Sequence, residues 1–236
     1  HDCMETVFVA MSGGLDSSFS AYLLKRQGYN VVGVTFALLP KGVTSPSNPK
    51  ACCSLESIQR ARRTADALAI PHYVINLRPE FEQHVIERFI SEYRSGRTPN
   101  PCVLCNKHIK FSSFVSKALA LGADKIATGH YANIERTEKG PVLKKARDRQ
   151  KDQTYFLYPI PQEFLERVLF PLADYTKETV LTEMSRLWNH ARSINESQDI
   201  CFVPDNDYRG FIQGFVPLKK GDIRFVDGRL LGYHEG

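Results

Sequence analysis

A short polar segment near the start of the chain combines residue types that bind phosphate. It spans residues 12–18, reads Ser-Gly-Gly-Leu-Asp-Ser-Ser, and directly follows the apolar run Val-Phe-Val at residues 7–9. Gly13 and Gly14 lack the Cβ that would block a ligand, and the first turn of a following helix supplies unpaired N–H groups and a positive dipole end. The two closing serines add hydroxyl groups. The segment therefore predicts a phosphate site at a strand-to-helix turn, with an ordinary glycine turn as the alternative.

This segment lacks the Gly-Lys-Ser/Thr ending of a Walker A loop, which delivers a lysine to the β and γ phosphates. It resembles instead the PP-loop of the ATP pyrophosphatases, enzymes that cleave ATP between the α and β phosphates. That resemblance implies ATP as the ligand. Asp16, a hard oxygen ligand beside the phosphates, is then the candidate ligand for Mg²⁺, and we expect it to be exposed on a rigid turn.

Three of the six cysteines form a second group with reactive potential. Cys102 and Cys105 form a Cys-x-x-Cys pair on a Pro-rich loop that leads into a helix, and Cys201 stands alone on a later loop. A helix N-terminus and the nearby Lys107 favour thiolate over thiol. A structural zinc site is disfavoured because a second Cys-x-x-Cys is absent from the sequence. Three thiolates suit an iron–sulfur cluster with one open iron, or a nucleophile with a resolving cysteine.

Composition narrows the class of protein. The chain has 236 residues, a net charge of +5 and 42% hydrophobic residues, enough for one core and an appendage. No apolar run approaches a membrane span of about 20 residues, and the N-terminus lacks the order of a signal peptide, so we expect a cytoplasmic protein without a membrane partner. In that setting cysteines indicate metal or sulfur chemistry more than disulfides. For Cys3, Cys52 and Cys53 we expect a structural role as small buried hydrophobes.

Short apolar runs alternate with helical patterns along the chain. Strands are predicted at residues 7–10, 31–38, 72–76 and 125–128. Helices are predicted at residues 17–26, 54–69, 80–96 and 107–121. This alternation predicts an α/β fold with a doubly wound parallel sheet, whose ligands sit at the carboxyl ends of the strands near the switch point.

The pattern changes from about residue 164. A helix and a loop are followed by β-like pieces at residues 222–226 and 229–233 around an Asp-Gly pair. We therefore predict an ATP-binding catalytic domain at residues 1–163. Residues 164–236 are predicted to form a small, incomplete helical and β central domain that carries the third cysteine.

Six segments together resemble the tRNA-specific 2-thiouridylases, members of the PP-loop superfamily. They occur in the family's order across nearly the whole chain. The segments are residues 11–18, 52–54, 98–106 with 109–111, 127–131, 151–157 and 197–202. Family members continue into a C-terminal β-barrel, which we expect to be absent from this chain, as in a truncated or shorter variant.

The resemblance implies a role for each matching residue. ATP would contact Ala10, Met11, Ser12, Gly13, Gly14, Leu15, Asp16, Ser17, Phe36 beside the adenine, and Gly129. The target base would meet Asn100, Pro101 and Cys102. The tRNA would also touch Lys151, Asp152 and Gln153. Cys105 aligns with the family's nucleophile and Cys201 with the cysteine that carries persulfide sulfur.

The implied reaction is 2-thiolation of the wobble uridine of tRNA. ATP adenylates the C2 oxygen with release of pyrophosphate, sulfur attacks C2, and AMP leaves. The implied partners are tRNA and a sulfur donor, which could be a sulfur-carrier protein, a cysteine desulfurase or inorganic sulfide. Many family members have Asp where this chain has Cys102.

That departure predicts an iron–sulfur cluster of the [4Fe–4S] type on Cys102, Cys105 and Cys201, similar to one subgroup of the family. A first alternative is a persulfide and disulfide cycle of Cys105 and Cys201, with Cys102 as a bystander. A second is another PP-loop enzyme that thiolates a different RNA base. A third is a nucleotide-binding or metal-binding module without enzymatic activity.

Overall fold

The computed structural model describes residues 4–39, 54–188, 200–203 and 206–236. Cys3, Cys52 and Cys53 lie outside the described residues, as do residues 197–199 at the start of the last family-like segment. The expectations for these positions stay predictions.

A five-stranded parallel sheet forms the centre of the molecule. The strands described along the chain are β1 (Thr6–Ala10), β2 (Asn30–Ala37), β3 (His72–Asn76), β4 (Lys125–Ala127), β5 (Asn133–Thr137), β6 (Gly140–Lys144), β7 (Val168–Leu169), β8 (Gly221–Arg224) and β9 (Leu230–His234). The central sheet has the order β3-β2-β1-β4-β7, and every neighbouring pair is parallel. The predicted doubly wound sheet is confirmed, and its switch point lies between β1 and β4.

Helices cover both faces of this sheet. They are α1 (Leu15–Arg26), α2 (Leu55–Ala67), α3 (Arg78–Phe81), π1 (Glu82–Ile86), α4 (Glu87–Arg94), α5 (Pro101–Leu104), π2 (Cys105–Phe114), α6 (Val115–Ala120), α7 (Thr154–Leu157), α8 (Gln162–Leu165), α9 (Lys177–Leu187) and α10 (Tyr208–Gln213). The two helices predicted at residues 80–96 and 107–121 each contain a stretch of wider π turns, and the second begins earlier than predicted. Such widened turns are rare and occur often at functional sites.

The core is split by the sheet because successive strand residues point to opposite faces. Phe8, Val32 and Phe36 pack with the aromatic residues of α3, α4 and π2 on one face. Val7 and Val9 pack with α1 and α2 on the other face. Burial on both faces explains why β1 and β2 read as nearly continuous apolar runs.

Two features were not predicted from the sequence. The antiparallel hairpin β5–β6 follows β4, and the two-residue strand β7 completes the central sheet. The sheet therefore extends beyond residue 163, where the second domain was expected to begin, and that division stays a prediction. The hairpin β8–β9 forms where the late β-like pieces were predicted, with Gly228 at a φ of +89° in its turn.

Candidate active site

The polar segment lies where the sheet order reverses. Residues 11–14 leave the carboxyl end of β1, and residues 128–130 leave the carboxyl end of the neighbouring β4. The Met11 N–H donates to the Val34 carbonyl at 2.7 Å, which continues the pairing of β1 with β2 up to the turn. The turn therefore lies at the switch point of the sheet, the usual ligand position in doubly wound folds.

Gly13 fills a position that no larger residue can occupy. Its φ is +74°, and a Cβ there would lie 2.3 Å from the carbonyl oxygen of Ser57 on α2. The Arg60 Nε of the same helix donates to the Gly13 carbonyl at 3.2 Å. The turn therefore packs against α2, and Gly13 adds no side chain to its backbone.

The first turn of α1 presents backbone N–H groups. Gly14 is its N-cap and supplies no side-chain cap, so the first N–H groups of the helix are left for a ligand. Ser17 and Ser18 were expected to offer hydroxyl donors, but both hydroxyls donate to the Gly14 carbonyl, at 3.1 and 2.8 Å. Their role in the structure is to fix the turn.

Gly129 lets the helix approach the end of β4. A Cβ on Gly129 would lie 2.7 Å from the backbone nitrogen of Ser17 and 2.9 Å from the carbonyl carbon of Asp16. This contact places Gly129, expected to contact the nucleotide, against the turn that is predicted to bind phosphate.

Asp16 differs from the exposed carboxylate expected from the sequence. Its side chain is 30% exposed, and both carboxylate oxygens bind the Lys177 ammonium at 2.7 and 2.8 Å. The Tyr131 hydroxyl donates to Oδ1 at 2.9 Å. The carboxylate is therefore bound by two protein partners in this structure, and its role as a Mg²⁺ ligand stays a prediction.

Two hydrogen bonds through Thr35 on β2 connect the turn to His72 on β3. The Thr35 hydroxyl donates to the Met11 carbonyl at 2.7 Å, so it accepts from His72 Nε2 at 2.8 Å. Burial, with a smaller contribution from Arg62, lowers the pKa of His72. The sequence offered no signal for this support because His72 and Thr35 belong to different strands.

His130 is a buried neutral histidine beside the turn. Its Nδ1 lies 2.7 Å from the Thr128 hydroxyl and its Nε2 lies 3.4 Å from the Lys110 ammonium. An ammonium only donates, so Nε2 accepts and Nδ1 carries the proton. Burial and then Lys110 hold the pKa of His130 well below its usual value.

Phe36 ends in the core. Its side chain is buried and meets Phe114 edge-on, with ring centroids 4.9 Å apart. Its place beside the adenine stays a prediction.

The Cys-x-x-Cys pair lies on the helical stretch that begins with α5. Asn100 is the N-cap, and its side chain accepts from the Val103 N–H at 3.3 Å, while Pro101 is buried in the first turn. Cys102 is exposed, and Cys105 is half-buried at the start of π2. This places one cysteine at the surface and the other toward the core.

Cys201 is half-buried and precedes a firmly packed aromatic residue. Phe202 meets Phe81 and Phe89 edge-on, with centroids 5.6 and 5.2 Å apart. Cys201 and Cys105 pack against the same core. The loop carrying Cys201 is thus anchored to the α3–α4 layer, which neighbours the helix of the Cys-x-x-Cys pair.

The predicted iron–sulfur site is not supported. Within residues 4–39, 54–188, 200–203 and 206–236, no group of three or more His, Cys, Asp or Glu side chains is arranged to hold a metal ion. The assignment of Cys102, Cys105 and Cys201 as ligands of a cluster therefore stays a prediction.

The segment at residues 151–153 binds the protein's own backbone. Asp152 accepts from the Ala146 N–H at 2.8 Å and from the Thr154 hydroxyl at 2.6 Å. Gln153 accepts from the Tyr131 N–H through its side chain at 2.9 Å. Lys151 is half-buried beside them. Two of the three side chains expected at the tRNA thus shape the loops around the turn, and their contact with tRNA stays a prediction.

Comparisons with known proteins agree with this geometry. The sequence model of the family described as tRNA methyl transferase HUP domain matches residues 5–205. The tRNA-specific 2-thiouridylase MnmA of Halothermothrix orenii is 49% identical over 236 residues, which is 99% of this chain and 66% of that protein. The tRNA-specific 2-thiouridylase MnmA 1 of Clostridium botulinum strain Hall is 46% identical over 98% of this chain and 65% of its own length. The chain thus spans slightly less than two thirds of these relatives.

A solved structure shares the fold. The crystal structure of a 4-thiouridine synthetase–RNA complex with bound ATP has a TM-score of 0.53 and 19% identity, and covers 86% of this chain and 46% of that one. No helix among the described residues is long and apolar enough to cross a membrane. The match to the family model, together with the two relatives, confirms the resemblance seen in the sequence: the chain belongs to the tRNA methyl transferase HUP domain family and is similar to its tRNA-specific 2-thiouridylases.

Proposed function

We propose that the protein transfers sulfur to the C2 position of the wobble uridine of tRNA, at the cost of one ATP cleaved to AMP and pyrophosphate. The observation that carries this proposal is the uncapped first turn of α1, held open by Gly13 against α2 and by Gly129 against β4. Similarity to 2-thiouridylases supports tRNA as the substrate. We place the activity in the cytoplasm.

The first step activates the uridine. Its C2 oxygen is a poor leaving group, so that oxygen attacks the α-phosphorus of ATP, forming a C2–O–AMP linkage and releasing pyrophosphate. The N–H groups of Leu15, Asp16 and Ser17 open the helix, where they can bind the phosphate oxygens as charge moves onto the leaving pyrophosphate. The positive end of the α1 dipole acts in the same direction.

The second step delivers sulfur. A persulfide on Cys201 attacks C2, and AMP leaves with the former O2. The Cys105 thiolate then attacks the Cys201 sulfur, which releases 2-thiouridine and leaves a Cys105–Cys201 disulfide. Inorganic sulfide attacking Cys201 in that disulfide would regenerate the persulfide and the Cys105 thiolate. With a persulfide donor such as a sulfur-carrier protein or a desulfurase, a thiol reductant must first open the disulfide.

No step is assigned to an iron–sulfur cluster or to Mg²⁺. A cluster on the three cysteines and a Mg²⁺ ion at Asp16 stay predictions from the sequence, whereas the cysteine cycle needs only the two half-buried thiols Cys105 and Cys201. The cysteine cycle, which the sequence left open as an alternative, is therefore the mechanism we favour. It predicts an active protein that holds no iron and no acid-labile sulfide after purification without oxygen.

Three cysteine variants test this mechanism. Cys105→Ser and Cys201→Ser should each abolish 2-thiouridine formation, since each removes a sulfur atom that the cycle requires. Cys102→Ser, at an exposed position, should retain most activity and serves as the matched control. Loss of activity in all three variants, with iron bound to the parent protein, would favour the cluster instead.

Nucleoside analysis separates the remaining alternatives. Sulfur found in a base other than the wobble uridine would indicate a different RNA thiolase of the PP-loop class. ATP binding without tRNA-dependent pyrophosphate release would indicate a nucleotide-binding module without enzymatic activity.

A further inference from the structure

We infer that Lys177 is a phosphate-binding residue of the nucleotide site and that it exchanges Asp16 for the β and γ phosphates when ATP binds. This inference rests on the proposed ATP-dependent function and adds a residue that the sequence motifs do not contain. The phosphate-binding turn has no lysine of its own. The fold supplies one from 161 residues further along the chain.

The position of the ammonium group carries the inference. Lys177 Nζ lies 2.7 and 2.8 Å from the oxygens of Asp16, the second residue of α1. A group bound there lies beside the N–H groups that open the helix. The Lys177 side chain is 11% exposed, so its charge is only weakly screened by water.

The backbone of Lys177 is held in place while its ammonium group can move. Lys177 is the first residue of α9, and the cap residue Thr176 accepts from the Thr179 N–H at 3.2 Å. The Lys177 N–H donates to Asp148 Oδ2 at 2.9 Å, and Asp148 Oδ1 accepts from two further backbone N–H groups. The ammonium group sits at the end of a flexible four-carbon stem. It can therefore turn to a new acceptor without any movement of the helix.

Charge explains why the exchange is favourable. A triphosphate at the turn brings several negative charges close to the Asp16 carboxylate, and like charges at short range repel. The Lys177 ammonium is the cation that touches this carboxylate and can also reach phosphate oxygens beside it. Asp16 keeps the hydrogen bond from the Tyr131 hydroxyl at 2.9 Å when Lys177 turns away. Asp16 therefore binds the Lys177 ammonium before ATP binds. After ATP binds, Asp16 still accepts the hydrogen bond from the Tyr131 hydroxyl.

The test compares ligands with and without the distal phosphates. AMP, inorganic pyrophosphate and a non-cleavable α,β-methylene analogue of ATP are titrated by calorimetry in EDTA, so that no metal bridges the phosphates. Lys177→Met should weaken binding of pyrophosphate and of the analogue at least tenfold and change AMP affinity less than threefold. Lys117→Met is the matched control, because it also removes one lysine from one ion pair, with Glu80 at 2.8 Å.

The Asp16→Asn variant distinguishes phosphate binding from a merely structural ion pair. If Lys177 binds phosphate, removing its competing carboxylate should preserve or strengthen pyrophosphate binding, the opposite of the effect of Lys177→Met. The double variant Asp16→Asn/Lys177→Met removes both charges together and guards against misfolding of the single lysine variant. It should bind pyrophosphate as weakly as Lys177→Met does.

Two results would overturn the inference and spare the proposed function. The first is wild-type affinity for pyrophosphate and the analogue in folded Lys177→Met. The second is an equal loss for all three ligands in both Asp16→Asn and Lys177→Met. Failure of the unmodified protein to bind any of the three ligands would instead overturn the proposed function, and the inference with it.

Discussion

Gln153 and Tyr131 hold each other through two hydrogen bonds. The Tyr131 N–H donates to Gln153 Oε1 and the Gln153 N–H donates to the Tyr131 carbonyl, both at 2.9 Å. The hydroxyl of the same tyrosine reaches Asp16. One buried tyrosine therefore joins the loop expected to meet tRNA to the helix whose first turn we propose binds phosphate.

Gln153→Ala should lower both the free energy of unfolding and the affinity for nucleotide. Tyr131 is 2% exposed, so its N–H would lose a side-chain acceptor in a buried position, at a cost of about 1–3 kcal/mol. The check is chemical denaturation followed by titration with the ATP analogue. Gln162→Ala is the matched control, since it also removes one glutamine bond to backbone, at Pro141 on the β5–β6 hairpin. Unchanged nucleotide affinity in Gln153→Ala would show that this pair does not position Asp16.

Asp16→Ala should destabilise the protein by about 1–3 kcal/mol, because it removes the carboxylate that Lys177 and Tyr131 both bind. At an exposed position, as the sequence predicted for Asp16, the same substitution would cost little stability. Thermal unfolding of Asp16→Ala and Asp16→Asn measures this loss of stability. Asp16→Asn should lose less stability than Asp16→Ala, because its amide oxygen still accepts the hydrogen bond from the Tyr131 hydroxyl. Parent stability in Asp16→Ala would contradict the observed ion pair.

Gly13→Ala should reduce ATP affinity at least tenfold, because the new Cβ would meet the Ser57 carbonyl and displace the turn. Gly122→Ala is a close control. Gly122 also has a positive φ, +91°, but a Cβ there meets nothing within 4 Å. Both variants carry a backbone strain of about 1–2 kcal/mol. The difference between their ATP affinities therefore reports the effect of the contact with the Ser57 carbonyl. Similar ATP affinities for the two variants would mean that the shape of the turn is not needed for binding.

The buried His130 should make the protein less stable as pH falls below about 6.5. Its pKa is lowered in the folded state, so near pH 6 the unfolded chain takes up a proton that the folded chain does not. The free energy of unfolding then falls on acidification, by at most about 1.4 kcal/mol per pH unit for one histidine. Denaturation at pH 7.5 and pH 5.5 should show a smaller difference for His130→Asn. Part of the pH dependence of the free energy of unfolding should remain in His130→Asn, because the pKa values of His72 and His108 are also lowered.

The parts of the fold that sequence predicts are those encoded locally. The strands around Val7 to Val9 and Val31 to Val34 are buried on both faces, so their apolar runs are unmistakable. Gly13 and Gly14 before α1 predict the turn because glycine adopts backbone conformations that other residues avoid. The two-residue strand β7 carries too few residues for any periodicity, and it forms because β4 offers a free edge.

The parts of the site that sequence missed depend on long-range contacts. The partners Asp16 and Lys177 are 161 residues apart, and Asp16 and Tyr131 are 115 apart. In the sequence nothing distinguishes Lys177 from other residues in the first turn of a helix. Its contact with Asp16 forms only because the fold brings α9 to the turn.

The most direct test of the central claim is the product stoichiometry of a single reaction. The protein is incubated with α-labelled ATP, a sulfur donor and unmodified tRNA, and AMP, pyrophosphate and 2-thiouridine are counted together. Our account predicts that the three products form in equal amounts and that none forms without tRNA. Release of ADP and phosphate, or AMP formation in the presence of the sulfur donor without any 2-thiouridine, would contradict it.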